Sequence, residues 1–251
     1  MIELETQGST TVVRLDAPPV NALDQEVLQA ITSTLHRIEE SDARAVVLTG
    51  TGSVFSAGAD LFRVLNEGDE YLRTSLAALT EAFGTLFEFP RPVVAAVNGH
   101  AIAGGAVLVC ACDHRIAADG NLKIGFAELR VGVPFPAWAL EIGWGTRPVN
   151  LQEVIYFGRS YDPEGALARG LVDEIVEAEA LMDNALAVAD RLAAIPPVSF
   201  RLMKEALRKP VVDRVRKAEA ADEAARAAWG SQEVRDAIRR FLKATFGADT
   251  R

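Results

Sequence analysis

Two glycine-bearing turns are where this chain could do chemistry. "VFSAGADL", residues 54–61, follows the apolar run "RAVVLTG", and "NGHAIAGGA", residues 98–106, follows "RPVVAAV". Each would present backbone N–H groups at the mouth of a sheet, and a converging pair of such donors is what an oxyanion hole requires. Gly104 and Gly105 stand directly ahead of the apolar run "AVLVCACD". Two explanations compete there: close backbone packing, or a helix N-terminus whose N–H groups face a ligand. Other chemistries lack residues. His36, His100 and His114 are scattered without metal-ligand spacing, so no metal site is expected. Cys110 and Cys112 lie two apart, on different faces of a helix, and read as buried free thiols of a reducing cytoplasm. The chain has no G-x-S-x-G elbow, no G-x-x-x-x-G-K-S/T phosphate loop and no G-x-G-x-x-G turn, so hydrolase, kinase and dinucleotide functions lose their main support.

The elements that must position these turns alternate along the chain. "TTVVRL" and "RAVVLTG" read as short strands, and Val27, Leu28, Ile31, Leu35 and Ile38 between them fall at helical spacing. "RPVVAAVNG" is a near-continuous apolar strand of the kind a sheet covered on both faces needs, with Pro92 at its entry. "HRIAAD", "LKIGFAEL" and "GLVDEIVE" are further strands, the last following the helical "DPEGALARG". From about Ala178 the pattern is helical to the end, broken at Pro196, Pro197 and Pro210. The reading is an α/β core over residues 1–195 with a mixed sheet, then a helical C-terminal region over 196–251.

Composition narrows the partners. With 251 residues, 49% of them hydrophobic, the chain can bury a substantial core. Its net charge of −9, without a Lys/Arg run, argues against nucleic acid and against anionic membrane surfaces as partners. The start, "MIELETQGSTTVVRLDAPP", has acidic residues and period-two apolar positions where a signal peptide has basic residues and an apolar block, so a cytoplasmic location is expected.

At this point the chain resembles the enoyl-CoA hydratase/isomerase, or crotonase, superfamily. "PPVNALD", "VFSAGADL", "AAVNGHAIAGGA", "CDHRIAAD", "IGFAELRVGVP" and "EGALARGLVDEIV" occur in that family's order and spacing. The resemblance implies a crotonase-like spiral of repeated ββα units with a helical C-terminal region that serves trimerisation, and a homotrimer or hexamer. Apolar Leu202, Leu207, Phe241 and Phe246 in the helical tail agree with such an assembly. The resemblance also implies an acyl-CoA thioester as ligand, with coenzyme A as part of the substrate and no separate cofactor. By its implication the N–H groups of Ala59 and Gly104 bind the thioester oxygen, while Val20, Ala22, Ala57, Asp60 and Leu61 line the nucleotide and pantetheine path. Gly104 would be glycine because a side chain there would crowd the thioester, and a helix beginning at Gly105 would aim its positive end at the enolate oxygen. Phe62, Leu65, Phe126, Phe135 and Trp138 are candidates for the acyl pocket.

Carboxylates decide between chemistries. Family hydratases typically carry two glutamates; here the first position is Val107 and the second is kept as Glu128. Hydration needs a water that is oriented and deprotonated while a proton reaches the α-carbon, and two carboxylates suit that. Moving a double bond from C3 to C2 needs one base that takes a proton from C2 and returns it to C4. Val107 also makes a drier cavity, which favours the neutral acid form of Glu128 between steps. "PPVNALD", Val107 and "VPFPAW" look most like the Δ3,Δ2-enoyl-CoA isomerases of the superfamily. Arg130, beside Glu128, is read as pointing outward, and Asp113 as structural. Two alternatives stay open: a hydratase in which Glu67, Asp69 or Glu70 swings in from a polar, mobile segment, and a binding protein that holds acyl-CoA without turnover, against which the retained Glu128 argues.

Overall fold

A computed structural model describes residues 1–146 and 149–247. The β-branched runs form a six-stranded sheet in the order Ile2–Gln7, Thr10–Leu15, Ala45–Gly50, Val93–Val97, His114–Ala118, Glu174–Val176. Its first two strands pair antiparallel and the rest are parallel. Ala45–Gly50 and Val93–Val97 are buried at every position, because elements cover both faces of a parallel sheet and a strand there has no solvent side to keep polar. Between the first parallel pair runs the helix Gln25–Glu39. Its apolar stripe of Val27, Leu28, Ile31, Leu35 and Ile38 is buried as its spacing requires. Asp24 caps it by accepting from the Val27 N–H at 2.8 Å, a contact worth about 1 kcal/mol.

A smaller sheet, in the order Ser160–Tyr161, Ile124–Gly125, His100–Ile102, Val54–Ser56, lies one step further along each turn of the chain. Three times a strand of the large sheet leads to one of the small sheet and then to a helix. Ala45–Gly50 leads through Val54–Ser56 to Leu61–Asn66 and Gly68–Glu88, Val93–Val97 through His100–Ile102 to Gly104–Ala111, and His114–Ala118 through Ile124–Gly125 to Glu128–Val131. This is the crotonase-like ββα spiral.

Several elements differ from the sequence reading. Of "LKIGFAEL" only Ile124–Gly125 is strand, and Glu128 opens a short helix instead of ending a strand. The polar stretch at Glu67, Asp69 and Glu70 leads into the 21-residue helix Gly68–Glu88, whose Leu72, Leu76, Leu79, Phe83 and Leu86 are buried. Pro210 does not break the C-terminal region but lies inside the helix Pro197–Lys217. It faces solvent, and the helix is anchored on both sides of it. On one side Lys204 and Arg208 reach Asp113 at 2.6 and 2.7 Å, and on the other Val211 and Val212 are buried. Asp113 also accepts from the Val93 N–H at 2.8 Å, so this carboxylate clamps the helix to the large sheet.

The last two helices, Glu219–Trp229 and Gln232–Phe246, return to the body of the protein. With Leu61–Asn66 and Glu128–Val131 they enclose a second apolar cluster, which includes Val64, Leu72, Val131, Trp229, Ile238 and Leu242. The final residues of the C-terminal region, 248–251, lie outside the described residues. Cys110 and Cys112 are free and buried, and burial pushes the Cys112 thiol up to about 12. Among the described residues no helix is long and apolar enough to cross a membrane.

Candidate active site

The first turn is held by a buried asparagine. Asn21, only 2% exposed, sits at φ +49° and donates through Nδ2 to the Val54 carbonyl at 2.8 Å. Its own carbonyl accepts from Ser56 Oγ at 2.8 Å, and Ser56 Oγ in turn accepts from the Gly58 N–H at 3.2 Å. The Ala57 N–H donates to the Val20 carbonyl at 3.1 Å, and Ala22 lies opposite Gly58 in a short parallel pair. Asp60 then caps Leu61–Asn66, accepting from the Phe62 and Arg63 N–H groups at 3.0 Å each. Val20, Ala22 and Asp60 thus fix the path of the turn that carries Ala59.

The second turn abuts the first. Gly58 has φ +82°, and a Cβ there would lie 3.0 Å from the Gly104 nitrogen, so the two backbones touch next to Ala59. Ala103 precedes Gly104 at φ +52° and ψ −122°, a region an L-residue occupies only under constraint. Its N–H donates to the Gly125 carbonyl at 2.9 Å and its carbonyl accepts from the Val107 N–H at 3.1 Å. The helix Gly104–Ala111 begins one residue earlier than expected, and no side chain caps its first N–H groups. The bond from Ala103 to Gly125 also ties this turn to the strand that leads into Glu128.

Glu128 is 7% exposed, and its Oε2 is buried without a hydrogen-bond partner. Loss of water around the carboxyl pushes its pKa up to about 8, opposed only by its own backbone N–H. Arg130 is exposed. The carboxyl opens on a cavity of about 100 Å³, lined by Ala57 and Ala59, by Ile102, Ala103 and Gly104, and by Leu61, Leu79, Phe83, Val131, Val133, Trp229 and Phe241 among others. Ala59, Gly104 and Glu128 therefore line the same cavity, and Glu128 is the only ionisable side chain lining it among the described residues.

Other predicted residues stand elsewhere. Gly105 and Val107 are off the cavity wall: of the helix Gly104–Ala111 only its first residue, Gly104, lines the cavity, and Gly105 is turned toward the Ser56 backbone. Phe135 is also off it, since its ring packs on Phe126 with centroids 5.9 Å apart. Phe62 packs against Phe246 and Trp138 against Phe87, each at 5.9 Å, and Leu65 joins the second apolar cluster. The apolar wall comes instead from the helix Gly68–Glu88 and from Trp229 and Phe241 of the C-terminal helices. Sequence reasoning assigned Phe241 to an outer surface. The signal it could have used is the amphipathic stripe Val234, Ile238, Phe241, Leu242, which demands a covered face. The three acidic residues offered as a second catalytic carboxylate are engaged elsewhere. Glu67 pairs with Arg63 at 2.6 Å, Glu70 with Arg73 at 2.5 Å, and Asp69 with Arg235. The described residues hold no group of three or more His, Cys, Asp or Glu side chains arranged to bind a metal.

One unpaired carboxyl facing two adjoining backbone turns in an apolar cavity can move a proton next to a group that gathers negative charge. The family model for enoyl-CoA hydratase/isomerase matches residues 5–245, and the chain belongs to that family. A putative enoyl-CoA hydratase of Thermus thermophilus is 36% identical over 213 residues, covering 82% of this chain and 83% of that protein. Mouse mitochondrial enoyl-CoA delta isomerase 1 is 30% identical over 226 residues, covering 88% of this chain and 78% of its own. The crystal structure of human mitochondrial Δ3,Δ2-enoyl-CoA isomerase superposes with a TM-score of 0.92 at 27% identity, covering 97% of each chain.

Proposed function

We propose that this enzyme shifts the double bond of a 3-enoyl-CoA to the 2-trans position, with Glu128 as the single acid–base group. The Glu128 carboxylate takes a proton from C2, the C2–H electron pair moves into the thioester, and charge gathers on its oxygen. The N–H groups of Ala59 and Gly104 stabilise that oxygen, a contribution of about 3 kcal/mol per donor in comparable sites. The protonated Glu128 then returns the proton to C4, leaving the double bond between C2 and C3. Coenzyme A is part of the substrate, and no further cofactor enters. The observation that carries this reading is that Glu128 is the single carboxyl in an apolar lining, with Glu67, Asp69 and Glu70 off the cavity and in surface pairs with arginines. One carboxyl suffices for a proton shuttle but leaves water without a second anchor.

The name of the Thermus relative favours hydration as the second reading. The two are separated by following the absorbance of the conjugated thioester. The expected result is rapid appearance of 2-enoyl-CoA from 3-enoyl-CoA and slow loss of 2-enoyl-CoA when it is supplied alone. Brisk hydration of 2-enoyl-CoA without isomerisation would replace the first reading with the second.

The active form is proposed to be a trimer or hexamer. Val198, Leu202, Met203 and Leu207 on one helix are 56, 52, 59 and 78% exposed, more apolar surface than a monomer ordinarily leaves to solvent on a single helix. Light scattering at micromolar concentration is expected to give three or six times the chain mass. Introducing charge with Leu207→Glu is expected to lower that mass, and a monomeric wild type would end the proposal.

A further inference from the structure

The cavity lies on a seam. Leu79, Phe83 and Ala139 on one side belong to the main core, whereas Ala59, Leu61, Val131, Val133, Trp229 and Phe241 on the other belong to the second apolar cluster. Ala57 is its exposed rim, Leu61 and Phe241 are half-buried, and Phe83, Ala139 and Trp229 are 1, 2 and 4% exposed. A chain that passes Ala57 and Glu128 therefore ends against buried side chains instead of emerging into solvent. Trp229 cannot swing aside freely, because its indole N–H donates to the Pro134 carbonyl at 2.9 Å. Its helix is fixed too: Asp222 accepts from the Ala137 N–H at 2.7 Å, joining the C-terminal cover to the helix Ala137–Gly145. The next helix is tied to the start of Gly68–Glu88 by Arg235 and Asp69.

Size then matters. A dry cavity of about 150 Å³ accepts a benzene ring, so one of about 100 Å³ has room for roughly four carbons. We propose that Trp229 and Phe241 close the acyl end of the site and restrict this enzyme to short-chain thioesters of about four carbons. The inference rests on the acyl-thioester reading above and adds the substrate's length. A longer chain has to part the seam between the two apolar clusters, separating side chains that are packed together.

The test measures equilibrium binding of saturated butanoyl-, hexanoyl-, octanoyl- and decanoyl-CoA, so that no turnover is needed. An open groove would gain about fourfold in affinity per added methylene. Wild type is expected to lose at least tenfold from butanoyl- to octanoyl-CoA. Phe241→Ala, which removes a half-buried ring, is expected to reverse that order. Trp229→Phe, which keeps an aromatic ring but drops the N–H anchor to Pro134, is expected to flatten it and serves where the alanine variant does not fold. Circular dichroism identifies the folded variants. Affinity that rises with chain length in wild type, or an unchanged order in a folded variant, overturns the proposal alone. Failure of every thioester to bind wild type overturns both the proposal and the acyl-thioester reading beneath it.

Discussion

Glu128→Gln is expected to lower kcat for isomerisation by about 10² to 10⁴-fold while leaving the affinity for a saturated acyl-CoA nearly unchanged. The amide keeps the shape and the neutral state of the buried acid but cannot take the proton from C2. The same substitution reports on pH. Burial raises the folded-state pKa from the ordinary 4.5 to about 8, because no cation or donor other than its own N–H stabilises the carboxylate. The folded protein therefore holds this proton more tightly than the unfolded chain does. The group weakens stability progressively as pH rises from about 4.5 to about 8, by on the order of 5 kcal/mol once ionisation is complete. Glutamine removes that loss, so the variant is expected to gain stability relative to wild type as pH climbs through this window, and to show no gain near pH 4. In wild type, kcat/KM is expected to rise with pH and level off above about 8, since the base form does the work. Near-wild-type turnover in Glu128→Gln would remove this residue from the mechanism, and a flat kcat/KM profile between pH 6 and 9 would contradict the buried-acid account.

The parts of the fold that were legible are those in which local pattern and burial agree. "AVVLTG" and "VVAAV" are apolar at nearly every position because both faces of their sheet are covered, and the helix Gln25–Glu39 announces itself by stripe and cap. The short strands of the smaller sheet escaped because two or three residues such as Ile124–Gly125 carry no period. The helix Gly68–Glu88 was hidden by its polar opening, Gly68, Asp69 and Glu70, although acidic residues in a first turn are favourable there. At the site, the catalytic candidates could be named from turns and family register, since these are local. The apolar wall could not. Trp229 and Phe241 lie roughly a hundred residues along the chain from Glu128, and only packing of the C-terminal helices brings them to the cavity. Asn21 stands inside "PPVNALD", but its role is illegible for a related reason: nothing local signals that its side chain will hold the carbonyl of Val54, more than thirty residues away.

The glycine pair that marks the second turn supplies the other large effect. Gly104→Ala and Gly105→Ala look equivalent in the sequence, and a ligand requirement would make position 104 the more sensitive. The packing ranks them the other way. A Cβ on Gly104 would meet Leu23 Cδ1 at 3.0 Å, the far end of a side chain that can turn, and its N–H would survive the substitution. A Cβ on Gly105 would lie 2.2 Å from the Ser56 carbonyl oxygen and 2.9 Å from its carbon, and backbone in a paired strand has no rotamer to escape into. The strand Val54–Ser56 has to move away from the helix Gly104–Ala111. That displacement strains the bonds Ser56 makes to the Asn21 carbonyl and the Gly58 N–H, and so shifts Ala59 away from Gly104. Gly105→Ala is therefore expected to cost about 3 kcal/mol or more, a fall in Tm of roughly 6–12 °C for a chain of this size. Its folded fraction is also expected to lose kcat by at least about tenfold, because a donor moved by a few tenths of an ångström no longer meets the developing charge. Gly104→Ala is expected to cost less than about 1.5 kcal/mol and to change kcat less than its neighbour does. Thermal melts and initial rates at matched folded protein decide the order. If Gly104→Ala proves the more damaging in both, then the pair is glycine for the ligand's sake, and close packing of the two turns is not what sets the geometry of the hole.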